Sequence, residues 1–278
     1  MAELEFVVAH SGEDAAHLAS VLSGPHVIIK PGGDILENLS RVRVMISDFD
    51  GTVIPGGSLW KRTDAHLPPQ ARQDIRDRFA LYRKERAEDT LEFPISLTHH
   101  IEFAVRVYVE SGFPRQQLHE IAESLEIRPG FQDLCQCMDG VGIVSIGFAE
   151  TIRHLLKVAG IQAEVQATEV CFSPDGCMCQ FENRRIIVDT TKGLAALEFI
   201  LGQRPMPNYP ELLVVGDTIN DRSMMLPNSV CGLIVDPDGV VVKRGYDYIT
   251  RMWPNLSFVL LHNTFEPLVE MVQTSRHT

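Results

Sequence analysis

Residues 42–52 read VRVMISDFDGT. The apolar run through Val44, Met45 and Ile46 stops at a turn signal, which suits a buried strand, although periodicity alone leaves a helix open. Asp48 and Asp50 then stand one residue apart at the carboxyl end of that strand, followed by Gly51 and Thr52. In open α/β sheets, ligands bind at that edge.

Three further apolar runs extend this reading: Val141–Ile146 (VGIVSI), Glu211–Val215 (ELLVV, leading into GDTIND) and Val230–Val235. Helical patterns alternate with them. Phe131–Met138 precedes the second run, Glu150–Ala159 follows it and ends at Gly160, and Lys192-Gly193 opens a helix to Leu201. Strands alternating with helices predict an α/β fold: a Rossmann-like, mostly parallel sheet with helices on both faces and right-handed connections. Ile161–Thr168 and Val170–Phe181 read as extended, with Pro174-Asp175-Gly176 as a hairpin turn.

The segment between the first two runs has a different character. After the flexible IPGGS, Pro69–Glu88 reads as a polar helix and Phe93–Ser111 as an amphipathic one. Pro114–Leu125 is a third helix, with Pro114 at a favoured first position, and the block closes at Ile127–Gly130 (IRPG). The expected organisation is an N-terminal βα extension over 1–40, a core formed by 41–56 and 128–278, and an inserted α-helical cap over 57–127. In the extension, Glu5–His10 and His26–Lys30 read as strands, Ser11 caps a helix over Glu13–Leu22, and Asp34–Leu39 forms another. The extension reads as an extra layer on the core; the competing reading is a dimerisation or regulatory arm, compatible with a homodimer.

Composition narrows the function classes. Hydrophobic residues make up 45% of the 278, enough for a full core, and 22% are charged. The formal net charge of −12 opposes general binding to nucleic acid or an anionic membrane, because those partners repel an acidic surface. The opening MAELEFVVAH lacks the pattern of a secretory signal, and no stretch approaches the ~20 apolar residues of a membrane span. A cytoplasmic location with reduced thiols is therefore expected for Cys135, Cys137, Cys171, Cys177, Cys179 and Cys231.

Parallel strands present their carboxyl ends on one edge, so Asp48 and Asp50, Ser145, and Asp217 with Asp221 should converge, with Lys192 opening a helix beside them. Carboxylates, a hydroxyl and an ammonium at one point suit a divalent cation and a phosphate, and all-oxygen ligands favour magnesium (Mg2+).

At these residues the chain resembles the haloacid dehalogenase superfamily of phosphatases. DFDGT (Asp48–Thr52) matches its first motif, Ser145 the second, Lys192 the third and GDTIND (Gly216–Asp221) the fourth, in order over roughly residues 42–236. The phosphoserine-phosphatase-like branch is closer still. SIGF (Ser145–Phe148) looks like its SGGF, and the helical insert sits where that branch carries its C1-type cap.

The resemblance implies a Mg2+-dependent phosphomonoester hydrolase. Asp48 would attack phosphorus to form an aspartyl-phosphate, and Asp50 would act as acid and then base. Asp48, the Asp50 carbonyl and Asp217 would hold the metal, and Asp221 would either join them as a metal ligand or orient Lys192 or a metal-bound water. Ser145 and Lys192 would meet the phosphoryl group. Gly51, Thr52, Gly147 and Asn220 are candidate substrate-binding positions. A cap of this size is expected to close over the site, which favours a small-molecule phosphate ester.

Within that branch a Glu shortly after the nucleophile and a cap Arg read the substrate's amino and carboxylate groups. Here those positions fall at Gly57 and near His100, and Ile146 replaces the glycine after the motif serine. Phosphoserine is thus not the expected substrate, and His100, His99, Trp60 and Arg62 are the candidate specificity contacts. The same intermediate also serves phosphotransfer between hydroxyls, and a catalytically silent binding protein on this fold is the reading from another class. A dehalogenase is disfavoured because that branch lacks the second aspartate. The Cys135-x-Cys137 and Cys177-x-Cys179 pairs are too closely spaced for a usual zinc site. The Arg76–Arg86 stretch reads as a solvated helix face.

Overall fold

The computed structural model describes residues 5–8, 26–29, 35–56, 58–88, 97–179, 186–235, 251–261 and 263–276. Its centre is β3 (Val44–Ser47), every residue of which is buried. Met45 packs into one apolar cluster, while Val44 and Ile46 pack into the other. Alternate side chains of a strand point to opposite faces, so a strand covered on both sides reads as one continuous apolar run.

Strand β3 lies between β4 (Gly140–Phe148) and β8 (Leu212–Gly216). The sheet continues through β5 (Glu164–Thr168) on one side and through β9 (Val230–Val235) and β10 (Phe258–Leu261) on the other. These six strands pair in parallel. One face is covered by α1 (Ile35–Arg41), α6 (Phe131–Gln136), α7 (Ala149–Val158) and α9 (Glu266–Ser275), which supply Leu39, Leu134, Ile152 and Leu268. The other is covered by α8 (Lys192–Gly202) through Ala195, Ala196, Phe199 and Ile200, together with Trp253. The α/β architecture with helices on both faces is as the alternation of runs predicted.

The described parts of the N-terminal segment join this sheet. β2 (His26–Ile29) pairs antiparallel with β10, and β1 (Glu5–Val8) pairs parallel with β2, making eight strands. They extend the core sheet beyond β10, with β1 as its edge strand, and are not a layer stacked on its face. The expected helix over Glu13–Leu22 lies outside the described residues. β10 and α9 were not anticipated.

Between β3 and β4 come α2 (Leu59–Asp64), α3 (Pro69–Glu88), α4 (Thr98–Glu110) and α5 (Arg115–Glu123). The first turn of the expected second helix, before residue 97, lies outside the described residues. α2 was not anticipated either; its six residues follow a glycine-rich turn, and Ser58 starts it by accepting the Trp60 N–H at 3.2 Å. Two of the ties between this helical segment and the core lie at α5 and at the α4–α5 junction. His119 on α5 stacks on His154 of α7 with ring centroids 3.9 Å apart. The hairpin of β6 (Cys171–Phe172) and β7 (Met178–Cys179) holds the α4–α5 junction. Met178 donates to the Phe113 carbonyl at 2.7 Å, and Arg115 donates to that of Gly176 at 2.8 Å. Among the described residues no helix is long and apolar enough to cross a membrane.

Candidate active site

The chain leaves β3 still paired to its neighbour. The Asp48 N–H donates to the Val215 carbonyl at 2.9 Å, so Asp48 stands beside the loop that follows β8. It then turns tightly: Val53 donates back to Phe49 at 2.9 Å, Gly51 donates to Ile54 at 3.0 Å, and Gly51 adopts φ +82°. That turn separates the two aspartates. The Asp50 carboxylate faces α2 and accepts the Leu59 N–H at 3.0 Å.

Asp48 faces a different set of groups. Lys192, at the first position of α8, donates to Asp48 Oδ1 and to Asp221 Oδ1, each at 2.5 Å. Asp221 is fully buried, and its other oxygen accepts the N–H groups of Asp217 and Thr218, both at 2.9 Å. Both of its oxygens are committed, so Asp221 braces Lys192 and the Asp217 loop; of its two expected roles, metal ligand and orienter, this geometry fits the second. Ser145 is buried at the end of β4, and its Oγ accepts the Gly147 N–H at 3.0 Å.

The acids of Asp48, Asp217 and Asp221 converge, with one oxygen from each lying within 4.8 Å of the others. A single ammonium, that of Lys192, pairs with two of them. Burial and the nearby Asp221 charge push the Asp48 carboxyl up to about 7. Burial, partly offset by the Leu59 hydrogen bond, raises Asp50 to about 6. Burial and the charges of Asp221 and Asp48 hold Asp217 well above the usual carboxylate range. For Lys192, burial works against the charge, but Asp221 and Asp48 outweigh it and raise its pKa.

These features test whether a cation fits. The cluster has more negative charge than its one ammonium balances, and Asp217 Oδ1 is buried without a hydrogen-bond partner. All donors are oxygen. A hard divalent ion such as Mg2+ meets each condition, since it is held by one or two carboxylates and keeps its own waters. The Asp50 side chain stands outside this cluster, so only its backbone carbonyl remains as a candidate ligand.

Gly51 is the position least open to change. A Cβ there would lie 2.0 Å from Asp217 Oδ2, in a backbone conformation that L side chains rarely adopt. Gly51→Ala is expected to displace Asp217 and raise the Mg2+ concentration for half-maximal thermal stabilisation at least about tenfold. An unchanged titration midpoint would show that Asp217 does not serve the cation.

A cavity of about 870 Å³ opens above these groups, lined by Asp48, Asp50, Gly51, Ser145, Lys192, Asp217, Thr218 and Asn220 and by residues of α2, α3 and α4. Several expected contacts lie elsewhere. His100 is buried in the helical segment, its ring 4.6 Å from that of Tyr82, and does not line the cavity, because its side of α4 faces α3. His99 is exposed beside Glu102. Arg62 folds back onto the Gly56 carbonyl at 3.0 Å. Thr52 is fully buried, and Gly147 packs so closely on Leu59 that a Cβ would come within 2.8 Å of Cδ1. Trp60 does line the cavity; Gly57 lies outside the described residues.

Two groups at the site were missed in the sequence. One is the Leu59 N–H, invisible because it is backbone. The other is Arg128, 1% exposed, which donates from its guanidinium to the Gly51 carbonyl at 2.7 Å and from its N–H to Val53 at 2.8 Å. Its only sequence signal was an arginine beside the Pro-Gly that closes the helical block. The six cysteines are free thiols; Cys179 stands opposite Cys171 in the β6–β7 hairpin.

The model of the haloacid dehalogenase-like hydrolase family matches residues 45–226. No curated protein matches the chain in sequence. Solved structures similar to it include a phospho-aspartyl intermediate analogue of phosphoserine phosphatase. That likeness has 14% identity and a TM-score of 0.55, covering 82% of this chain and 98% of the other. A HAD-family hydrolase from Salmonella enterica serovar Typhi aligns at 15% identity and TM-score 0.60, covering 83% and 70%. A probable phosphoserine phosphatase from Vibrio cholerae aligns at 15% and 0.58, covering 86% and 67%. At these identities the likeness concerns the fold.

Proposed function

The chain belongs to the haloacid dehalogenase-like hydrolase family, and from that premise we propose that it is a Mg2+-dependent phosphomonoester hydrolase working through an aspartyl-phosphate on Asp48. Its substrate is a small phosphorylated metabolite, taken into the cavity between a core (41–56 and 128–278) and a helical cap (57–127). The observation that carries this reading is the division of labour between two carboxylates one residue apart. Asp48 is held by Lys192 beside the acidic cluster, while Asp50 is turned away onto the Leu59 N–H.

Asp48 uses the oxygen not paired with Lys192 to attack phosphorus in line, forming the P–O bond as the ester P–O bond breaks. Asp50 gives its proton to the departing oxygen; a carboxyl raised to about 6 by burial retains a useful protonated fraction near neutrality. The Asp50 carboxylate then takes a proton from water, which attacks phosphorus and releases Asp48 and inorganic phosphate. Lys192 and Ser145 face the phosphoryl oxygens, and donors held in place beforehand cost no reorganisation as charge develops. Asp48, Asp217 and the Asp50 carbonyl would hold Mg2+, which when bound offsets the negative charge of nucleophile and phosphate. Asp221 keeps Lys192 and the Asp217 loop in register.

Phosphate release from a panel of small esters tests this. Turnover is expected to stop with a chelator and return with Mg2+. Mg2+ at a hundred times its dissociation constant is expected to stabilise the fold by about 2.7 kcal/mol, and Asp217→Asn to remove most of that gain. Chelator-resistant turnover would sink the metal role. No turnover of any ester, with no phosphoenzyme trapped, would sink the hydrolase.

A further inference from the structure

We infer that the leaving group is a bulky apolar body, an alkyl chain or a ring, not a zwitterion or a polyol; this rests on the hydrolase reading above. The cavity of about 870 Å³ is far larger than a phosphate needs and lies in the range that encloses drug-sized ligands. Above the catalytic groups its wall is formed by Trp60, Ile75, Phe79, Leu97, Ile101 and Ile146. Trp60, Ile75 and Ile101 are almost wholly buried, so this wall belongs to the packed interior of the helical segment. Trp60 is backed in turn by Phe148, with ring centroids 4.5 Å apart.

The charged groups of the same cavity are placed differently. Lys61, Arg76 and Asp77 are exposed and lie at its rim. Asp64 is half-buried, and its Oδ1 already accepts the Tyr108 hydroxyl at 2.5 Å. Arg76 interacts electrostatically with Asp64, so the charges of this rim already offset one another instead of facing a ligand along the apolar wall. A zwitterionic leaving group would lose its hydration there without compensation, which is costly. An apolar one gains from every ångström of surface it buries.

Ile146 makes the point locally. It directly follows Ser145 in the chain and lines the same cavity. Its hydrocarbon side chain offers no hydrogen-bond partner to an ammonium or hydroxyl of the leaving group.

The test is a kcat/KM series with Mg2+ on ethyl, butyl, hexyl and phenethyl phosphates, set beside phosphoserine, phosphoethanolamine and glycerol phosphate. Each added methylene is expected to raise kcat/KM by about threefold to fourfold, the factor for burying one CH₂. The polar esters are expected to fall below butyl phosphate. Phe79→Ser and Leu97→Ser, both at half-buried positions, are expected to flatten the series. Alkylphosphonates, whose P–C bond this chemistry does not break, are expected to stabilise the protein thermally in the same rank order. A flat or falling alkyl series, with polar esters turned over as well or better, would overturn this inference and leave the hydrolase standing. No turnover of any ester would overturn the hydrolase reading, and this one with it.

Discussion

Asp48→Asn is expected to lower phosphate release by about 10⁴-fold or more, the scale on which a lost nucleophile is felt, without destabilising the fold. The two halves of that expectation come from the same geometry. Asparagine has the shape of aspartate, and its carbonyl oxygen can still accept from Lys192, which now sits 2.5 Å from Asp48. What disappears is a nucleophilic oxygen and one negative charge in a crowded site. Asp48, Asp217 and Asp221 bring three carboxylates to one ammonium, and the charge of Asp221 helps to raise the Asp48 pKa. Removing one of the three relieves repulsion, so the melting temperature without Mg2+ should hold level or rise. Sites that keep like charges together for chemistry give up stability to do so. The checks are a phosphate-release assay, acid quenching to trap phosphoenzyme, and thermal melts with and without Mg2+. Turnover within tenfold of the parent, or a phosphoenzyme still trapped on the variant, would remove Asp48 from the nucleophile's role.

Lys192→Met is expected to act in the opposite sense on stability. Methionine fills much of the same volume but leaves Asp48 and Asp221 facing each other without the ammonium between them. Breaking a buried ion pair from one side costs about 3–5 kcal/mol, because the remaining charge is stranded. Both partners here are almost wholly buried, so solvent offers little relief. The loss of an electrostatic donor at the phosphoryl group should cost a further ~10²–10³-fold in kcat. Urea denaturation of Lys192→Met, Asp221→Asn and the double variant separates the pair from its surroundings. Neighbours in one network are not additive, and the double variant should lose less than the sum of the singles. Simple additivity would mean that Lys192 and Asp221 do not support each other. Arginine is not expected to rescue the site: the Lys192 ammonium is buried between Asp48 and Asp221, 2.5 Å from each, and a bulkier planar guanidinium does not replace a compact point charge held that closely.

Much of this was legible in the chain itself. A strand buried on both faces must be apolar throughout, and residues 44–46, 141–144, 212–215 and 230–234 have that property. Reactive residues directly after such runs lie on one edge of a parallel sheet. That is why Asp48, Ser145, Asp217 and Asp221 were found without coordinates. The partners of these residues were harder to find. Arg128 reaches Gly51 across 77 positions, and no local pattern records that contact. The antiparallel pairing of β2 with β10 likewise joins segments more than two hundred residues apart, and no local pattern records which strand meets which.

The sequence by itself determined the order of elements, the edge on which the chemistry gathers and the residue types available there, because these follow from local periodicity and from the rule that parallel strands end together. Only the tertiary structure decided how each residue of that set is placed and paired. It turned Asp50 onto α2 and Asp48 onto Lys192, committed both oxygens of Asp221 to bracing, and withdrew His100 into the packing between α3 and α4. It also placed Ile75, Phe79, Leu97 and Ile101, distant in sequence from Asp48, on the wall above it. Those outcomes depend on which helix face meets which neighbour, a property of three-dimensional packing that the spacing of residues along the chain does not specify.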